Sequence, residues 1–218
     1  MTNNKIYNLD ELDFFIITHI FSFLDQKTQM HLTQVNKTFL GLRDYVHNIK
    51  ATKTLRDEQL RLYKNTIKLD LCENTLITNH GVKNLPLEYL NCGINTNLTN
   101  IILKDLLELK ELHCGCSKKF KTKGINQLSK LTHLYCNCNN NIYITNNSSL
   151  VYLDCGGNYN MRDDDIKNLS NLTYLNCGYC ESFTLEGIHK MSLVYVKCGD
   201  NTNFKQDGYY SFGVLLNV

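Results

Sequence analysis

Chemistry in this chain would fall first to its ten cysteines, several of them closely spaced. Cys114-x-Cys116 and Cys136-x-Cys138 would bring four thiols together if their segments lie side by side, and four thiolates can hold zinc. Cys177-Gly-Tyr-Cys180 has the spacing of a dithiol that exchanges with disulfides. His113 and His133 stand close to these cysteines, and a cysteine nucleophile needs such an imidazole beside it. Arg162-Asp163-Asp164-Asp165 places three carboxylates in a row.

Each of these chemistries depends on what positions the residues, and the positioning is periodic. Cys92, Cys114, Cys136, Cys155, Cys177 and Cys198 occupy one place in a recurring phrase: LEYLNCGIN, LKELHCGCS, LTHLYCNCN, LVYLDCGGN, LTYLNCGYC and LVYVKCGDN. An earlier copy, TIKLDLCEN, has Leu71 in the cysteine slot, and the steps from Leu71 onward are 21, 22, 22, 19, 22 and 21 residues. A period of this length means a stacked solenoid.

The period reassigns the cysteines. A thiol in a slot that faces the stack is a small hydrophobe, without the exposure or thiolate character a nucleophile needs. The C-x-C spacing is not the C-x(2–4)-C of zinc modules, and the C-x-x-C arises from two repeat slots three residues apart. The acidic run reads as a solvated helix start. The glycines follow the repeat and do not form a phosphate-cradling loop. No catalytic residue, metal ligand or cofactor is expected, so the chain is read as a binding protein and not an enzyme.

Numbering the cysteine slot zero, aliphatic residues fill −2: Leu69, Leu90, Leu112, Leu134, Leu153, Leu175 and Val196. Positions two apart on a strand share a face, so −2 and zero point inward together. Slot +3 holds Asn74, Asn95, Ser117, Asn139, Asn158, Cys180 and Asn201, where a ladder of short polar side chains would bond buried turn backbone. Slot +6 is apolar throughout, and apolar residues at +11 and +14 suit a short helix with one face inward. Each copy is strand, turn, short helix and return; the copy from Cys136 to Leu150 is too short for a full helix and crosses extended.

The phrase L-x-x-L-x-C-x-x-N resembles the leucine-rich repeat over about residues 66 to 212. NTLITNHGVKNL, from Asn74 to Leu85, is similar to the cysteine-containing subclass, although cysteine and the usual leucine largely exchange slots here. The resemblance implies an α/β solenoid of parallel strands and short helices with about seven repeats.

Residues 1 to 49 do not share the period. Their apolar residues recur at helical spacing, broken near Leu24-Asp25 and again near Asn36, which reads as a helical cap on the open end of the solenoid. L-x(7)-I-F-S-F-L-D followed by V-N-K-T-F also resembles an F-box, with Asp13 and Phe15 where that family has proline and glutamate. That resemblance implies a small helical module docking on a Skp-type adaptor through Leu12, Ile16, Ile20, Leu24, Val35 and Phe39, in a substrate receptor of an SCF-type ubiquitin ligase. The competing expectation is a repeat scaffold with a helical cap and no ligase link. The organisation expected is a module over 1–49, a charged linker helix over 50–65, and the solenoid over 66–218.

A target protein would meet the strand side chains at −3 and −1, which oppose the core. These include Tyr89, His113, His133, Tyr135, Tyr152, Asp154, Tyr174, Asn176, Tyr195 and Lys197. Exposed tyrosines serve either as interface anchors or as a ladder that steadies neighbouring strands. The net charge of +2 argues for neither nucleic acid nor membrane as partner, and no apolar run is long enough to cross a bilayer. The N-terminus lacks the basic-then-apolar order of a secretory signal, so an intracellular location, cytoplasmic or nuclear, is expected.

Overall fold

The structure is a computed structural model that describes residues 14–35, 40–199, 201–205 and 214–215. Among the described residues, nine strands form one sheet in chain order. They are β1 (Asn48–Lys50), β2 (Lys68–Asp70), β3 (Tyr89–Asn91), β4 (Glu111–His113), β5 (His133–Tyr135), β6 (Tyr152–Asp154), β7 (Tyr174–Asn176), β8 (Tyr195–Lys197) and β9 (Val214–Leu215). The first eight are parallel, while β9 pairs antiparallel with β8.

The register follows from the period. Ile49, Leu69, Leu90, Leu112, Leu134, Leu153, Leu175 and Val196 pair in line, all buried. A one-residue slip would turn every one of them to solvent, so the apolar face holds the register. Cys92, Cys114, Cys136, Cys155, Cys177 and Cys198 lie beside this row as free, buried thiols. The return segments carry single helical turns such as Asn79–Val82 and Leu185–His189, whereas the copy after Cys136 crosses to Leu150 without a helix.

Asparagine closes the turns. The Asn158 Nδ2 donates to the carbonyls of Asn139 (2.9 Å) and Ile142 (2.7 Å) in the preceding repeat. Its Oδ1 accepts from the amides of Asn160 and Met161 in its own turn at 3.0 and 3.2 Å. Asn74, Asn95, Asn139 and Asn201 repeat this pattern, and all five are buried. Each thus satisfies backbone that would otherwise be stranded inside the stack. Cys180 takes the same position and donates its thiol to the Cys155 carbonyl at 3.0 Å.

The segment over 50–65 differs from the expected linker helix. It holds one helical turn, Asp57–Leu60, and follows strand β1, which extends the sheet by a rung. Ala51 stands where the later repeats carry cysteine, and Leu55, Leu60 and Tyr63 are buried. This rung escapes the sequence pattern because alanine replaces the cysteine and no asparagine follows three residues later.

Among the described residues, helices α1 (Phe14–Ser22) and α2 (Gln26–Val35) and a 3-10 turn, Gly41–Tyr45, precede β1. Gln26 covers the outer edge of β1: its Oε1 accepts from the Lys50 amide at 2.7 Å and its Nε2 donates to the Lys50 carbonyl at 3.1 Å. Covering an edge in this way removes a template for unwanted strand pairing. Inside, Thr33 and Tyr63 share a buried hydroxyl hydrogen bond of 3.0 Å.

Candidate functional site

Because side chains alternate across a strand, burying the central leucine turns its two neighbours to the other face. Ten residues expected on that face are there: Tyr89, His113, His133, Tyr135, Tyr152, Asp154, Tyr174, Asn176 and Tyr195 are half-buried, and Lys197 is exposed. Parallel rungs lie about 4.8 Å apart, which is stacking distance for flat rings. A continuous aromatic stack results. Tyr89 tilts against His113 at 5.3 Å between centroids, and His113 lies parallel to Tyr135 at 3.9 Å. Tyr135 meets Tyr152 at 4.8 Å, Tyr152 stacks on Tyr174 at 4.0 Å, and Tyr174 on Tyr195 at 4.8 Å. His133 joins from the side, 5.6 Å from Tyr152.

The stack crosses from slot −1 at His113 and Tyr135 to slot −3 at Tyr152, so the tyrosine and polar strips merge into one band. The signal for this was present, since six consecutive copies carry an aromatic ring at −3 or −1. Burial among neighbouring rings, with nearby carboxylates adding to it, pushes the hydroxyls of Tyr89 and Tyr135 up. Burial also raises Tyr152, helped by its hydrogen bond with Tyr174. These hydroxyls therefore remain protonated and can donate. Their rings already face one another, so a partner meets edges and hydroxyls held in place before it arrives.

The polar residues beside the rings have partners too. The Asp154 Oδ1 accepts from the Gly156 amide at 3.1 Å, and the Asn176 Oδ1 accepts from the Gly178 amide at 3.2 Å. Glu111 pairs with the His113 Nε2 at 2.7 Å. The turn amides thus set the direction of Asp154 and Asn176.

The clusters that first suggested chemistry are dispersed by the fold. Cys114 and Cys136 point into the core while Cys116 and Cys138 are exposed, so the four sulfurs do not converge. Burial pushes Cys92, Cys114, Cys136 and Cys177 well up, away from thiolate character. Cys177 and Cys180 are both buried. In the acidic run, Asp163 accepts from the Thr184 hydroxyl of the next repeat (2.7 Å), Asp165 from the Arg162 amide (2.8 Å), and Asp164 pairs with Lys167 (2.9 Å). Among the described residues no group of three or more His, Cys, Asp or Glu side chains is arranged to hold a metal.

A second surface lies on α1 and just past its end. Ile17 (5% exposed) and Phe21 (1%) belong to the core, whereas Ile16 (49%), Ile20 (48%) and Phe23 (75%) face outward. Of the residues expected to dock an adaptor, Ile16 and Ile20 are on this outward face. Leu24 instead packs partly against the core, because the chain turns there toward α2. The side chain of Val35, and Leu12 and Phe39 altogether, lie outside the described residues.

The fold has known counterparts. An internalin (InlF) from Listeria monocytogenes superposes with a TM-score of 0.60 at 20% identity, covering 79% of this chain and 54% of that one. Internalin C2 from the same organism gives 0.57 at 22% identity, covering 77% and 79%. A chain of the Drosophila Toll–Spatzle complex gives 0.51 at 17% identity, covering 67% and 22%. The chain thus spans about half the length of the first internalin. No protein-family model matches the sequence, and no curated protein is significantly similar to it. The architecture of parallel strands and short helices is that of a leucine-rich-repeat solenoid. No helix among the described residues is long and apolar enough to cross a membrane.

Proposed function

We propose that this chain is a leucine-rich-repeat scaffold that binds a protein target on the aromatic face of its sheet and performs no bond chemistry itself. The observation that carries this reading is the stack running from Tyr89 to Tyr195, an ordered band of half-buried rings and donor hydroxyls. Tyrosine is enriched among residues that dominate binding energy, and rings held rigid beforehand lose little entropy on association. Asp154, Asn176 and Lys197 supply polar contacts at the margin. That a chain of this architecture was solved in the Toll–Spatzle complex is in keeping with a protein partner. The test is target capture from lysate by the full chain and by the Tyr152→Ala/Tyr174→Ala/Tyr195→Ala variant. A folded triple variant that captures as well as wild type refutes the assignment of this face.

One observation favours a second, finer reading. Ile16 and Ile20 on α1, with Phe23 just past its end, form an outward apolar row, and the helix's other face is already in the core. An F-box would use such a row, with Leu12, Leu24, Val35 and Phe39, to hold a Skp-type adaptor. The chain would then be a substrate receptor of an SCF-type ubiquitin ligase built on cysteine-type repeats, acting inside the cell. Co-purification of the adaptor separates this reading from the scaffold alone, in which α1 and α2 simply cap the first rung.

A further inference from the structure

Cys116 and Cys138 occupy the same slot in successive repeats, two residues after a buried cysteine, and both are exposed. Both have left-handed backbone, with φ of 59° and 57°, so their side chains leave the turns in the same way. Each turn is tied to the next rung in the same way: the Cys116 amide donates to the Asn137 carbonyl in the Cys138 turn at 2.8 Å, and the Cys138 amide to the Gly156 carbonyl of the following rung at 2.9 Å. Adjacent rungs about 4.8 Å apart fall within the Cα separations that disulfides span, roughly 4.4 to 6.8 Å. Cys72, the other exposed thiol, has no such partner, because the next rung carries Gly93 and Ile94 in its turn.

We propose that Cys116 and Cys138 are a modification site, an exposed dithiol that closes to a disulfide between neighbouring rungs on meeting a small-molecule disulfide such as oxidised glutathione. The Cys116 thiolate attacks one glutathione sulfur, forming a mixed disulfide and releasing the other glutathione as thiolate. Cys138 then attacks the Cys116 sulfur, the second glutathione leaves, and the Cys138 proton passes to it through solvent. Two protein thiols lose two electrons and two protons, and one oxidised glutathione becomes two reduced ones. In the reduced form the Cys138 sulfur sits over Gly157, 3.1 Å from where a Cβ would stand. Rotation about the Cys138 Cα–Cβ bond brings it back to Cys116, and in the next rung only glycine occupies the matching place.

The experiment uses the full chain carrying Cys72→Ser, incubated folded with oxidised glutathione and read by intact mass after blocking free thiols. The expected product has lost two hydrogens, carries no glutathione, and yields a linked peptide pair from around Cys116 and Cys138 after trypsin. Because those peptides also contain Cys114, Cys136 and Cys155, the assignment rests on Cys116→Ser and Cys138→Ser. Each should abolish the bridge and leave one stable glutathione adduct on the remaining exposed thiol. If a serine variant unfolds, asparagine, which tolerates left-handed backbone, replaces it. A bridge that survives either substitution, stable adducts on both cysteines of the starting protein, or an unchanged mass would each overturn the proposal.

Discussion

Tyr152 and Tyr174, on consecutive rungs, stack with centroids 4.0 Å apart and planes 7° from parallel. The ring-to-ring separation is shorter than the spacing of the strands that carry them, so the rings lean toward each other instead of standing straight out. The pair therefore contributes to the fold and presents a surface, and alanine and phenylalanine substitutions separate the two contributions.

Tyr174→Ala removes stacking on both Tyr152 and Tyr195. At roughly 0.5–1.5 kcal/mol for each aromatic pair, the loss should be about 1–3 kcal/mol by chemical denaturation. Tyr174→Phe keeps both ring contacts and loses only its hydroxyl, so it should cost about 1 kcal/mol or less. An alanine variant as stable as wild type would show that the stack contributes nothing to folding.

Asn158→Ala leaves the carbonyls of Asn139 and Ile142 and the amides of Asn160 and Met161 without their side-chain partner. With a buried unsatisfied group costing about 1–3 kcal/mol, the loss should exceed about 3 kcal/mol. The exposed Asn160→Ala is the control and should cost about 0.5 kcal/mol or less. Equal effects of the two would remove the asparagine ladder from the account of stability.

Alkaline pH should unfold this protein early. The buried thiols of Cys92, Cys114, Cys136 and Cys177 are raised above their ordinary value of 9.0, because burial opposes their ionisation. The unfolded chain releases these protons once pH passes 9.0, whereas the folded chain holds them to higher pH. Stability is therefore fully present below the ordinary value and is lost as pH climbs toward the raised ones. Each such thiol contributes a slope of up to about 1.4 kcal/mol per pH unit. Denaturation midpoints measured across this range should fall, and replacing one cysteine with alanine should make the fall shallower.

Ile17 and Ile20 lie on one helix with opposite fates. Ile17→Asp places a carboxylate in the core and should lower the melting temperature sharply, because an unpaired buried charge is strongly disfavoured. Ile20→Asp changes an exposed side chain and should leave melting within about 2 °C of wild type. If α1 holds a Skp-type adaptor, Ile20→Asp should also abolish its co-purification. Capture that survives this change would remove α1 from the docking surface.

Much of this molecule was determined by the order of its residues. A leucine two positions before a recurring cysteine, and an asparagine three after it, were enough to place strands β2 to β8, their inward face and the buried thiols. Such periodicity works because each rung solves the same local problem: one apolar face to bury and one turn whose backbone needs a partner. The rung at β1 was hidden because Ala51 fills its slot through contacts with β2 and the helices before it, and not through its own local phrase. Only the stacked structure decided that His113 and Tyr135 continue the tyrosines at Tyr152, Tyr174 and Tyr195. It likewise decided that Cys116 and Cys138 stand outside while their neighbours two residues earlier are enclosed. Whether a side chain meets a ring, a sulfur or solvent depends on what the adjacent rung carries about 4.8 Å away, and that neighbour is distant in sequence.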